Sequence, residues 1–448
     1  MIKFLMRICK LNFGEFEENE FKKFTRMGLI MMMIIGIYWT MRPLKDSLFS
    51  QLVGDRTQLA FAKMISVVLM IPFVAMYTKL LDFISKPKLL SVAPPLFYGT
   101  IVFLYSLFVL AFQSGLFGVN YITICLGYLW YFLVESFGSM VVALFWSFST
   151  DITKSESAKK GFPLVYAFGQ VGNILFPYVF INLPVTLGIK SDFFPMIIIC
   201  LLMFSIPIMV KGLIKNTPAE LMVSQNVELD EKAKKKKTGF VEGLRLLFSH
   251  KYLIGMFMVN FFYEAIVTIF DFNFKQLAMG TYSGVKLTQY LSVYSSVTGL
   301  VSLLLLLFGV NKITKRLGLK ASLVSIPVFI GIAVIGFSIT QNLTFFFCLM
   351  VSCKAINYSL NGPSLKQLYL PTSPDVKSKA QAWIETFGSR ISKEAGSNMN
   401  VLVKPLGMAA YKMLCTSIGL VFVAAWFFIA IYLGKTHKKA IDTNTNVC

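Results

Sequence analysis

Long apolar runs separated by short charged stretches set the rhythm of this chain. The runs fall near 27–46, 59–84, 89–112, 116–148, 162–184, 193–214, 252–278, 288–310, 318–340, 343–370, 380–403 and 411–434, twelve in all. A helix needs roughly 20 apolar residues to cross a bilayer core, and the runs have about that length or more. None alternates apolar and polar residues as a strand of a membrane barrel would. The pattern predicts an all-α integral membrane protein of about twelve transmembrane helices. Several runs are longer than a bilayer requires, which predicts tilt or extension beyond the membrane.

The polar stretches divide the chain. Residues 215–251 form the one long polar connection and contain the run KAKKKK at 232–237. A solvated orientation signal lying on anionic lipid accounts for that run; regulation or substrate collection is the alternative. The expected organisation is a tail at 1–26, a six-helix bundle at 27–214, a basic linker at 215–251, a second six-helix bundle at 252–434 and a tail at 435–448. Two six-helix bundles make a major-facilitator-like arrangement. Basic residues alternate between loops. Lys22, Lys23 and Arg26 precede the first run, Lys86 and Lys88 follow the second, and Lys312, Lys315 and Arg316 follow the eighth, whereas 113–118 and 341–342 carry none. Both termini are therefore expected in the cytoplasm. Lys286, Lys404 and Lys412 are exceptions on the outer side.

Composition narrows the class further. The 448 residues are 56% hydrophobic and 15% charged, with mean hydropathy +0.67, which excludes a soluble globular domain. The formal net charge of +21 lies mostly in loops, so no nucleic-acid partner is needed to explain it. The seven cysteines are scattered and have no CxxC spacing; they read as packing residues, without metal or disulfide roles. His250 and His437 stand beside lysines at span edges, so no zinc site and no His-based catalysis is expected. There is no Walker loop and no HExxH, and neither an enzyme activity nor a cofactor is expected. The acidic GEFEENE at 14–20 argues against a cleaved leader or a transit peptide. A bacterial inner membrane is the expected location, with the lipid bilayer as surroundings and a monomer as the assembly.

The candidate chemistry lies in charges inside the apolar runs. A charge near the bilayer centre costs roughly 2.5–3.5 kcal/mol on the insertion scale, so one that persists there faces a partner or a cavity. Residues 28–50 read GLIMMMIIGIYWTMRPLKDSLFS and end in Arg42, Lys45 and Asp46. Arg42 and Lys45 share a helix face and could hold phosphate oxygens; snorkelling to the outer interface is the alternative. Pro43 between them loosens backbone bonding. Glu135 and Glu264 lie deep in the fourth and seventh runs, with no basic neighbour at helical spacing. Each needs a partner on another helix, and Lys45 and Lys393 are candidates; structural pairing without a transport role is the alternative. The eleventh run places Arg390, Lys393 and Glu394 between Gly388 and Gly396. A displacement of 219 residues puts Lys45 on Glu264 and Glu135 on Lys354, as a pseudo-symmetric cavity with exchanged charges would. Aromatic side chains such as Tyr38, Trp39, Tyr131 and Trp383 could stack on a purine ring, and the sequence does not choose among them.

Four segments carry a family resemblance. YWTMRPLKDSLF at 38–49, VESFGSMVVALFW at 134–146, NFFYEAIVTIF around Glu264 and YLPTSPDVKSKAQAWIETFGSRISKEAGS at 369–397 resemble the ATP/ADP translocases of intracellular bacteria and plastids. The resemblance runs in order over about residues 27–430. It implies twelve helices, a nucleotide solute carried by strict or partial exchange, with ATP for ADP as the leading case, and four charged residues important for transport. By motif matching these are Lys45, Glu135, Glu264 and Lys393. The pattern departs at Leu365, where a lysine would align, with Lys366 one place later; base preference and exchange mode are what that departure touches. Proton-linked import of another nucleotide, a nucleotide cofactor or an organic phosphate is the rival within transporters. A membrane-embedded sugar or lipid transferase is the rival outside them.

Overall fold

The computed structural model describes residues 16–116, 118–153, 155–222, 240–305, 311–369, 371–372, 384, 388–443, 445 and 447. The basic run at 232–237, Lys154, Lys377, Lys379 and Trp383 lie outside them. Every regular element among the described residues is helical. In chain order these are α1 (Glu18–Val53), α2 (Leu59–Phe83), α3 (Lys86–Gln113), α4 (Tyr121–Asp151), α5 (Ser155–Pro177), α6 (Phe193–Lys215), the short α7 (Phe240–Ser249), α8 (Lys251–Thr281), α9 (Gly284–Leu304), α10 (Asn311–Ile339), α11 (Leu343–Ile356), α12 (Gly362–Leu368), α13 (Ser389–Val401) and α14 (Val403–Asp442). Nine helical stretches among the described residues are long and apolar enough to cross a membrane. The expected runs at 59–84, 288–310 and 380–403 correspond to α2, α9 and α13. With these, the all-α fold of about twelve spans stands.

Proline accompanies two of three widened turns. Wide helical turns occur at Ala93–Gly99 within α3, at Tyr178–Asn182 after α5 and at Asn357–Asn361 after α11. Pro94 and Pro95 lie in the first and Pro184 follows the second. A proline ring collides with the carbonyl four residues earlier and offers no N–H to it; widening the turn makes room.

The described chain divides into two compact units. The first holds 16–55, the described residues of 68–222, and Tyr282–Gly299. The second holds Arg56–Val67, 240–281 and the described residues from Leu300 onward. Helix α2 thus begins in the second unit and continues in the first, and α9 begins in the first and ends in the second. In the first unit α1 packs on α5, α4 and α6. In the second, α8 packs on α13, α14 and α11. At 36 residues α1 is about 54 Å long, well beyond a hydrocarbon core of about 30 Å. Its first turns are fastened by Lys23, whose Nζ donates to the carbonyls of Ile152 (2.5 Å) and Leu221 (2.7 Å).

The core of the first unit is aromatic and aliphatic. Trp130 on α4 is fully buried and stacks on Tyr105 of α3, with centroids 4.7 Å apart and planes 15° apart. Trp130→Ala is expected to remove about 3–5 kcal/mol of stability through the cavity it leaves. A thermal melt of the detergent-solubilised protein reads this as a large fall in Tm; a shift of a degree or less would mean that the site collapses around the smaller side chain.

Candidate functional site

In the first unit the site begins with Lys45 on α1. The helix runs on for eight residues beyond it, to Val53, so Lys45 is not at a helix end from which it could snorkel. The residue is 1% exposed. Its ammonium donates to Glu135 Oε1 on α4 and lies 4.0 Å from the centre of the Tyr131 ring. Tyr131 and Glu135 are four residues apart, so one face of α4 supplies both a ring and a carboxylate to the same cation. Asp46 Oδ1 stands 3.9 Å away. Arg42, one turn earlier on α1, places its guanidinium 4.6 Å from the Trp39 ring centre and 5.7 Å from that of Tyr38. A side chain at Gly138 would collide with the Tyr38 ring, so glycine one turn beyond Glu135 is what admits that ring.

The second unit repeats the device with the charges exchanged. Glu264 on α8 takes the place of the cation. Its Oε1 accepts from Ser389 Oγ at 3.3 Å, and its Oε2 stands 3.9 Å from Lys393 Nζ. Ser389 and Lys393 are again four residues apart, on α13. Gly396, one turn past Lys393, lets the two helices touch: a Cβ there would lie 2.6 Å from the Ala265 carbonyl oxygen. Arg390 is half-buried on the first turn of α13. Lys393 is a residue that the 219-residue displacement does not single out.

The two pairs differ in closure. Lys45 is buried, and the Glu135 side chain is 33% exposed. Glu264 is 17% exposed, and Lys393 is 53% exposed. In each unit the charge on the leading helix is the sheltered member. A buried, hydrogen-bonded pair loses about 3–5 kcal/mol when one partner is removed, because a charge is stranded. A long pair with an exposed member contributes about 1 kcal/mol or less. Lys45 is therefore the more tightly held cation, and Lys393 the more loosely held.

Several contacting residues were not singled out from the sequence. Ser389 is one, although its four-residue spacing from Lys393 was visible. A second ionic cluster is another. Asp271 Oδ2 on α8 accepts from Lys63 Nζ at 3.0 Å and from Lys275 Nζ at 3.1 Å. The signal for half of it was the Asp–Lys spacing of four within the seventh run. Lys63 left no such signal, because its partner is 208 residues away.

Known proteins share both the sequence and the fold. A family model described as TLC ATP/ADP transporter matches residues 7–437. The ADP,ATP carrier protein 1 of Rickettsia typhi is 25% identical, over 96% of this chain and 96% of its own. The ADP,ATP carrier protein 4 of Rickettsia felis is 23% identical, over 95% and 94%. Among solved structures, a bacterial homologue of the iron transporter ferroportin in an inward-facing state aligns with a TM-score of 0.63 at 10% identity, over 92% of this chain and 98% of its own. A nucleoside transporter aligns with a TM-score of 0.57 at 13% identity, over 92% and 98%. These structural likenesses establish a major-facilitator-type fold.

The unequal closure of the two pairs is measurable. Glu135→Gln should cost about 3–5 kcal/mol of stability by stranding Lys45. Lys393→Gln should cost less than about 1 kcal/mol. Thermal melts of the purified variants compare them; equal losses would show that the two pairs are closed alike.

Proposed function

The chain belongs to the TLC ATP/ADP transporter family, and on that premise we propose that it exchanges ATP for ADP across the membrane by alternating access. The observation that carries this reading is the pair of charge-exchanged ion pairs, Lys45 with Glu135 and Glu264 with Lys393. A nucleotide carrier must offset several phosphate charges and then release them. Lys393, half-exposed and loosely held, offers its ammonium first. Lys45 can follow only when a phosphate oxygen replaces Glu135, and charge-assisted hydrogen bonds of similar strength make that exchange cheap. When the site empties, each glutamate closes again on its lysine, so the empty carrier reorients without stranded charge. Arg42 and Arg390 stand one turn or less from the two lysines and add bidentate reach toward the phosphates. Of the rings beside these cations, Tyr38 is the partly exposed one and offers a face for a base to stack on.

The reading includes an architecture. Residues 27–214 and 252–434 form the two moving bundles, joined by the basic linker at 215–251. Both termini face the cytoplasm of a bacterial cell whose inner membrane holds the protein as a monomer. Positive charge near α1 and in the linker supports that orientation.

Purified protein in liposomes loaded with ADP and offered labelled ATP tests the function. Uptake is expected to require internal nucleotide and to fall by about a hundredfold or more in Lys45→Gln and Lys393→Gln; an exchange of two buried charge-assisted bonds is of that size. Uptake that ignores internal nucleotide and collapses with the proton gradient would replace exchange by proton-linked import. Normal exchange in both lysine variants would leave the pairs a purely structural role.

A further inference from the structure

The two ion pairs of the candidate site differ in what holds them in place. Lys45 is buried and donates directly to Glu135, a contact that fixes its own geometry. The pair of Glu264 and Lys393 is long at 3.9 Å, and its lysine is half-exposed. A pair of that kind biases a population by about fivefold at most, too little to set where one helix lies along another. Gly396 brings α13 against the Ala265 carbonyl, but a bare backbone contact sets spacing and not register.

A register contact stands one turn further on. Lys393, Gly396 and Asn400 follow one another at spacings of three and four, so they share a face of α13. Asn400 donates from Nδ2 to the Thr268 carbonyl of α8 at 3.3 Å. Its Oδ1 accepts from the Tyr411 hydroxyl at 2.6 Å. That hydroxyl in turn accepts from Asn273 Nδ2 at 3.0 Å, and the same amide donates to the Ile269 carbonyl at 2.9 Å. Helices α8, α13 and α14 thus meet at one hydroxyl. Asn273, Asn400 and Tyr411 are all buried, and all belong to the second unit.

Packing alone does not require polar groups here. A buried amide costs stability unless it is hydrogen-bonded, and apolar side chains of the same size would fill the space without that cost. Hydrogen bonds add direction. A hydroxyl that donates to one helix and accepts from another is satisfied at one rotation and one height of both. Helix α14 delivers it after a break: Gly407 interrupts the helix at φ 73°, a left-handed conformation that glycine adopts readily, and Tyr411 stands one turn beyond. Asn400 is about 10 Å along α13 from Lys393, two turns of a stiff helix, so a shift at one is carried to the other.

We propose that Tyr411, Asn400 and Asn273 are positioning residues for Lys393: through one shared hydroxyl they fix α13 in register on α8, and so set the distance of the Lys393 ammonium from Glu264. The loose pair then keeps its separation without a hydrogen bond that would close it. The consequence for nucleotide affinity rests on the transport reading above; the positioning itself does not.

Two readouts test this. The first needs no nucleotide. A carbodiimide joins a carboxylate to an amine beside it with loss of water, so the yield of the Glu264 to Lys393 amide, read as joined peptides by mass spectrometry, reports their separation. Tyr411→Phe is expected to lower that yield about fivefold, the full bias that a loose ion pair supplies. That variant leaves Asn400 Oδ1 unpaired, so the second variant combines Tyr411→Phe with Asn400→Leu. Both partners then become apolar at nearly the same shape, which is expected to keep the melting temperature near that of the wild type while the yield stays as low as in Tyr411→Phe. An unchanged yield in either variant overturns the proposal, because a purely structural role would return with stability. The second readout is binding of labelled ATP to the purified protein. The combined variant should raise Kd about fivefold, and should raise it no further in a Lys393→Gln background, since an absent ammonium cannot be misplaced. Equal rises in both backgrounds would also overturn the proposal. Wild-type protein that binds no ATP would instead remove the transport reading, and the cross-link would still decide the positioning.

Discussion

A charge inside an apolar span must meet its opposite on another helix. That single requirement organises this molecule. Each unit is built around a leading helix, α1 or α8, that carries such a charge into the interior and packs on several neighbours. Each answers the charge with two residues four apart on a second helix: Tyr131 and Glu135 for Lys45, Ser389 and Lys393 for Glu264. Two points of contact on one face fix rotation as well as distance, so the grip orients α4 on α1 and α13 on α8. The glycines one turn further, Gly138 and Gly396, admit the Tyr38 ring and the Ala265 backbone beside these grips.

The exchange of sign between the units leaves each ion pair neutral by itself. The two pairs differ in shelter: Lys45 is buried on its glutamate, whereas Lys393 is half-exposed and stands farther from its own.

The spans were legible because apolar runs of twenty residues have few other uses, and the observed helices follow the runs closely. The four central charges were legible for the same reason: each interrupts a pattern that penalises it. Their pairing was partly legible, since neither glutamate had a basic neighbour within its own helix. Less was visible of the contacts that depend on where helices cross. Which aromatic ring would stand beside Lys45 could not be read from the candidates, because a ring at a helix surface looks the same whether it faces lipid or a cation. Nothing in the sequence pointed Lys63 to Asp271 or Asp192 to Thr288; only the tertiary arrangement brings them together. The length of α1 was also understated. Its apolar run stops at the charges, while the helix continues to Val53 and there Ser47 and Gln51 bond to neighbouring segments through their side chains.

The wide turn after α5 has one more effect. The hydroxyls of Ser292 and Ser296 on α9 donate to backbone carbonyls, those of Pro177 and Ile174, and not to side chains. A hydroxyl that meets a carbonyl reads only the path of the chain. Substitutions at positions 174 and 177 that preserve that path leave the recognition untouched, so this seam can hold its shape while the side chains around it are freely replaced. The ionic contact of Lys63 has no such freedom, because it depends on one particular carboxylate.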